Sequence, residues 1–98
     1  MNMAMIQKMQ RDMMKAQAEI EASVFTGKAA NGSIAIEMNG KKEVTNVTIS
    51  PDVVDTDDMS FLEDLVMIAI NDATRQADEL TEKTMGKFTG GMKIPGLF

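Results

Sequence analysis

The chain contains no cysteine, no histidine, no tryptophan and no tyrosine. The missing cysteines exclude disulfide cross-links and thiolate metal centres. The missing histidines exclude imidazole acid–base chemistry. Aromatic side chains are scarce, with four phenylalanines in 98 residues. A core must therefore be assembled from Met, Ile, Val, Leu and Ala, with the 11 methionines as adaptable filler. Long apolar runs are absent as well: the longest, Leu65 to Ile70, is far too short to span a bilayer. The first twenty residues carry Lys8, Arg11, Asp12, Lys15 and Glu19, which interrupt any apolar leader segment. These features fit a cytoplasmic protein of one small domain, expected over residues 1–85, followed by a Gly-rich tail over 86–98.

The net charge is −5, but it is unevenly spread. Acidic residues crowd the stretch 52–82, where Arg75 is the lone cation, whereas 83–98 carries Lys83, Lys87 and Lys93 and no acid. An acidic total argues against a general polyanion binder, which is usually basic. A basic end can nevertheless coexist with an acidic body.

Hydrophobic spacing divides the chain into three parts. Over residues 2–22, Ile6, Met9, Met13, Ala16 and Ile20 recur at steps of three and four, the narrow stripe of a helix that needs a partner helix. Residues 23–50 switch to period two, punctuated by Asn31-Gly32 and Asn39-Gly40, and predict three antiparallel strands near 23–30, 33–38 and 41–50. Two-residue turns at both dipeptides would set Phe25, Gly27 and Ala29 opposite Met38, Ile36 and Ile34. They would set Met38, Ile36 and Ile34 opposite Lys41, Glu43 and Thr45. One sheet face then collects Phe25, Ala29, Ile34, Ile36, Met38, Val47 and Ile49, and the other holds Val24, Ala35 and Val44 among polar residues. Asn39 and Gly40 would both adopt positive φ.

After Ser50-Pro51-Asp52, a long helix is expected to start near Asp57 or Ser60, with Ser60 and Glu63 as a capping box, and to run to about Met85. Its first half is apolar over a wide arc, Phe61, Leu62, Leu65, Val66, Ile68, Ala69 and Ile70, and should lie on the apolar sheet face. Its second half keeps only Ala73, Ala77 and Leu80, and should leave the sheet to pair with the first helix as a projecting arm. The predicted fold class is α+β, in the order α-β-β-β-α. Two thin helical stripes and a short sheet bury little alone, so a dimer is expected.

Sites for chemistry are few. Asp55, Asp57, Asp58, Glu63 and Asp64 cluster but lack calcium-loop spacing, and acidic caps at a helix start account for them. Alternating Met1, Met3 and Met5 would not converge on a metal from a helix. Neither a metal, a cofactor nor a catalytic constellation is expected. Asn71-Asp72 sits in mid-helix, where both residues are unfavourable, and is read as a bridge from the helix to strand backbone or connector. Lys8, Arg11 and Lys15 share one helical face, although Lys8–Asp12 and Lys15–Glu19 have the spacing of ion pairs, and Arg75 has Asp78 and Glu79 within reach. Antiparallel arm helices would bring Lys83 and Lys87 near that face.

Leu62-Glu63-Asp64-Leu65, the apolar stretch after it and Asn71-Asp72-Ala73 resemble the long-helix signature of the YbaB/EbfC family of bacterial nucleoid-associated proteins. Gly90-Gly91-Met92-Lys93-Ile94-Pro95-Gly96 is similar to that family's ending, and Met5-Ile6-Gln7-Lys8-Met9-Gln10 to its first helix. The resemblance implies a homodimer whose sheets join and whose helical arms project like tweezer jaws. It implies a nucleoid location and binding to double-stranded DNA, with Lys8, Arg11, Lys15, Lys83 and Lys87 as contacts and Arg75 as a weaker one. No aromatic wedge is placed for base readout, so contact with the phosphate backbone is expected. A Met-rich arm that grips a partner protein is the rival reading.

Overall fold

A computed structural model describes residues 2–89, with side chains through residue 86. The order of elements is α1 (Met3–Ala22), β1 (Val24–Ala29), β2 (Ile34–Asn39), β3 (Val44–Ile49) and α2 (Met59–Thr89), with a short 3-10 turn at Pro51–Val53 before α2. The α-β-β-β-α reading holds. Helical backbone continues to Thr89, past the expected helix end near Met85. Residues 90–98 lie outside the described residues.

Helix α1 starts where its cap dictates: the Asn2 side chain accepts a hydrogen bond from the Met5 amide at 2.8 Å. It stops at Ser23, which is extended and whose hydroxyl donates to the Glu19 carbonyl oxygen. Helix α2 is capped by Asp58, whose carboxylate accepts from the Phe61 amide at 3.4 Å and from the Ser60 hydroxyl at 3.0 Å. The expected Ser60–Glu63 box is not formed, because the Ser60 hydroxyl is turned back onto Asp58.

The three strands form one antiparallel sheet in the order β1-β2-β3. The first hairpin has the predicted register, with Phe25, Gly27 and Ala29 opposite Met38, Ile36 and Ile34. Asn31 (φ 56, ψ 34) and Gly32 (φ 89) supply its tight turn, closed by a bond from the Ser33 amide to the Ala30 carbonyl.

The second hairpin differs from expectation. Neither Asn39 nor Gly40 takes positive φ; Lys42 does, at 66°. Asn39 uses its side chain instead, its Oδ1 accepting from the amides of Lys41 (2.9 Å) and Glu43 (3.1 Å). Such an Asx turn needs three loop residues, and the last of them falls in the left-handed region. Gly40 is required for another reason. A β-carbon there would collide with the backbone of Ile20 and Glu21 at the foot of α1. The longer loop puts Ile34 opposite Ile49 and Ile36 opposite Val47, not Thr45 and Glu43. A bulge between Glu37 and Met38 then brings Val44 opposite Met38. Because the main shift is even, Val47 and Ile49 keep their predicted face, and the bulge moves Val44 onto it.

Helix α2 lies across β1 and β2 and leaves β3 uncovered. Ile34, Ile36 and Met38 are buried beneath Leu65, Ala69 and Ala73, with Leu62, Val66 and Ile70 at the margin. Contact is close because Gly27 has no side chain: a β-carbon there would run into the Ala69 carbonyl oxygen and lie 2.5 Å from the Ala73 nitrogen. Small residues on both sides let the helix backbone settle onto β1. Ala73, expected on the free half of α2, therefore belongs to the sheet contact. Phe61 and Ile68, expected against the sheet, are instead 50% and 54% exposed. They share one flank of α2, off the face that meets the sheet. All six residues of β3 are exposed.

Gly27→Ala should therefore destabilise the fold by about 3 kcal/mol, the upper end of the usual overpacking cost, since helix backbone meets the new methyl group. Gly32→Ala meets open space and should cost only about 1–2 kcal/mol, from its positive φ. Urea unfolding of the two variants checks the order; equal losses would contradict the close-contact account.

Candidate nucleic-acid interface

The arm is built from α1 and the second half of α2. Ile20 is buried at its base, beside the Gly40 turn, and Lys42 two residues on pairs with Asp78 of α2 at 2.5 Å. These contacts mark the same level on both helices. The chain enters the sheet down α1 and leaves it up α2, so the helices run antiparallel, in contact with each other. Met13 and Ala16 are half-buried on α1, as are Leu80, Thr81 and Thr84 on α2, with Ala77 fully buried. Farther out, Ile6 and Met9 of the predicted stripe are exposed. The molecule is accordingly long, with extents of 65 × 21 × 19 Å.

At ~1.5 Å per residue, Lys15 and Lys83 each lie roughly 7 Å beyond that base, one on each helix. Both are exposed, as is Arg11 one turn farther out on α1. None of the three has an ion-pair partner among the described residues; the anticipated Lys15–Glu19 pair is not formed. Lys8 pairs with Asp12 at 3.3 Å, with 74% of its side chain in solvent. An exposed i,i+4 pair of this kind is worth little and yields easily to a competing anion. Lys87 belongs to helical backbone, and its side chain lies outside the described residues. The acidic connector and first turn of α2 lie at the far end: Met59 is about 36 Å from Lys83 along the helix axis.

Arg75 is placed differently. Its guanidinium donates to Asp72 Oδ1 at 2.6 Å and to Glu79 Oε1 at 2.9 Å, so both ends of the fork are occupied by carboxylates. Asp78, anticipated as its neighbour, pairs with Lys42 instead.

Asp72 does what the mid-helix pair was expected to do. Its Oδ2 accepts from the Lys28 backbone amide at 3.1 Å, and Gln76 Nε2 donates to the Thr26 carbonyl oxygen at 2.8 Å. Nothing in the sequence singled out Gln76; its spacing of four from Asp72 was the available signal. Asn71, by contrast, is exposed and makes no bridge among the described residues. The Lys28 amide, then the Arg75 guanidinium and the Gln76 amide, hold the Asp72 carboxyl below the ordinary value of 3.8.

No helix among the described residues is long and apolar enough to cross a membrane. The chain is an α-β-β-β-α unit whose two helices run together past the sheet and carry exposed cations. The YbaB/EbfC DNA-binding family model matches residues 1–92, and the chain belongs to that family. It is 50% identical over 96 residues to a nucleoid-associated protein of Alkaliphilus metalliredigens, covering 98% of this chain and 84% of that one. It is 51% identical to a nucleoid-associated protein of Chloroflexus aurantiacus, covering 98% and 94%. The crystal structure of uncharacterized protein HP0035 from Helicobacter pylori has a similar fold, with a TM-score of 0.75 at 17% identity, covering 92% of this chain and 99% of that one.

The Asp72 bridge has a pH signature. A carboxyl whose folded pKa lies below its unfolded one stabilises fully above the unfolded value and loses that contribution as pH falls through the folded value. Asp72→Asn should therefore be less stable than the parent at neutral pH, and the gap should close below pH 3.8. Thermal melts across that range check this; a gap that persists unchanged in acid would assign the bond to the wrong group.

Proposed function

We propose that the chain is a nucleoid-associated protein that binds double-stranded DNA as a homodimer, holding the phosphate backbone and reading little base sequence. The observation that carries this is the set of exposed arm cations in a member of a DNA-binding family: Arg11, Lys15 and Lys83 have no ion-pair partner among the described residues, and Lys8 is only loosely paired. They project where a backbone track can reach them, well away from the acidic connector. Lys87 follows Lys83 by four residues on the α2 backbone. Arg75 is left out of the contact set, because two carboxylates already occupy its guanidinium. The reading needs no cofactor, metal or small-molecule substrate. It implies a location on the nucleoid.

The homodimer reading rests on β3. The Ser50 amide donates to the Ser33 carbonyl oxygen at 2.8 Å, which fixes the phase of the ladder. Val47 and Ile49 then turn their N–H and C=O groups away from β2. An open edge with exposed Val44, Val47 and Ile49 suits pairing with the same edge of a second copy.

The scaffold alternative has one observation in its favour: Met3, Met5, Met9 and Met14 are exposed along α1. A DNA titration at two salt concentrations separates the readings. Replacing Lys8, Arg11 and Lys15 with Ala should weaken binding and flatten its salt dependence, by a log–log slope of roughly 5 if a dimer loses six contacts at ~0.9 ions each. Unchanged affinity and slope would move the DNA site elsewhere; negligible binding by the parent would favour the scaffold. Val47→Pro removes an outward amide while sparing the bonds to β2, and should halve the mass measured by light scattering. A variant that stays dimeric would place the interface off β3.

A further inference from the structure

Strand β1 is the other edge of the sheet, and its outer side is not open. The two groups that α2 engages there belong to alternate residues: the Thr26 carbonyl and the Lys28 amide. A residue in a parallel neighbouring strand would donate to the first and accept from the second. Gln76 donates to the first and Asp72 accepts from the second. The two side chains are joined to each other by a 3.3 Å bond from Gln76 Nε2 to Asp72 Oδ2, much as one residue joins its own N–H and C=O. Arg75 braces the free carboxylate oxygen. Side chains of a helix thus stand in for one residue of a strand.

We propose that the Asp72–Gln76 pair is a cap over a strand-addition site, and that the occupant it excludes is the β3 edge of a second copy of this chain. Three observations converge. The outer groups of β1 are in good strand geometry, since the chain pairs in register with β2 from Val24 to Ala29. Ile68 is exposed one turn from Asp72 on the same flank of α2, so an incoming strand would find an apolar side chain beside the edge. β3 is itself open and carries Val47 and Ile49. An edge of each kind on one chain permits head-to-tail sheet growth, which does not close on itself. Blocking one edge leaves only the other, and assembly stops at a finite size. This explains why Asp72 and Gln76 occupy a helix interior: they satisfy backbone that would otherwise recruit another chain.

The test compares variants with the parent's own assembly, whatever its size, so it stands apart from the dimer and DNA readings. Asp72→Ala with Gln76→Ala should keep native circular dichroism and show a scattering mass that climbs with concentration without a plateau. Adding Thr26→Pro, which removes an outward amide of β1, should return the mass to the parent's, whereas nonspecific aggregation would persist. Should the double variant unfold, Gln76→Ala alone decides, since it keeps the Asp72 bonds to Lys28 and Arg75; growth beyond the parent that Thr26→Pro reverses supports the cap. A folded variant that stays at the parent's size, or growth that Thr26→Pro does not reverse, overturns the proposal.

Discussion

The approach of α2 to β1 at Gly27 governs the rest of the molecule. With no side chain at Gly27 and only methyl groups at Ala69 and Ala73, helix and strand backbones come closer than larger residues permit. That distance lets short side chains one turn along, Asp72 and Gln76, reach past the face of the sheet to its edge. It also tethers α2 over β1 and β2 and leaves β3 bare. A bulkier interface would lift the helix and strand these polar groups without partners, each at the cost of an unmade hydrogen bond.

A second close contact sets the arm. Gly40 admits the backbone of Ile20, and Lys42 reaches Asp78, so one turn of the sheet holds the base of both arm helices. Beyond that base the stripes thin out, and Met9 and Ile6 emerge into solvent. The arm is thus firm at its root and exposed toward its end, where the cations lie. Separation along a single helix keeps the connector's carboxylates several Debye lengths from Lys83 at physiological salt, and leaves Asp12, Glu79 and Glu82 as acids that share the arm with the cations.

Much of this was legible in the residues. The switch from steps of three and four to period two marked the elements, Asn31-Gly32 marked a turn whose dihedrals match, and Ile34, Ile36 and Met38 fell on the buried face. Of the six cations singled out, Arg11, Lys15 and Lys83 have no ion-pair partner among the described residues, whereas Arg75 is paired twice. That distinction was not readable, because spacing shows which pairs can form and not which of several carboxylates wins. Arg75 had Asp78 and Glu79 in range; it took Glu79 and, in place of Asp78, Asp72, which the Lys28 amide already held in place.

The sequence by itself determined the periodicities, the breaks between elements and the faces that needed burial, because these depend on neighbours a few residues apart. Only the tertiary structure decided the second hairpin, where the foot of α1 required a small residue at Gly40 and passed the left-handed position to Lys42. Only the tertiary structure paired Gln76 with Thr26 and Asp72 with Lys28, across 50 and 44 residues of chain. Contacts at that separation are set by how closely two backbones pack, a distance that no local pattern of residues encodes.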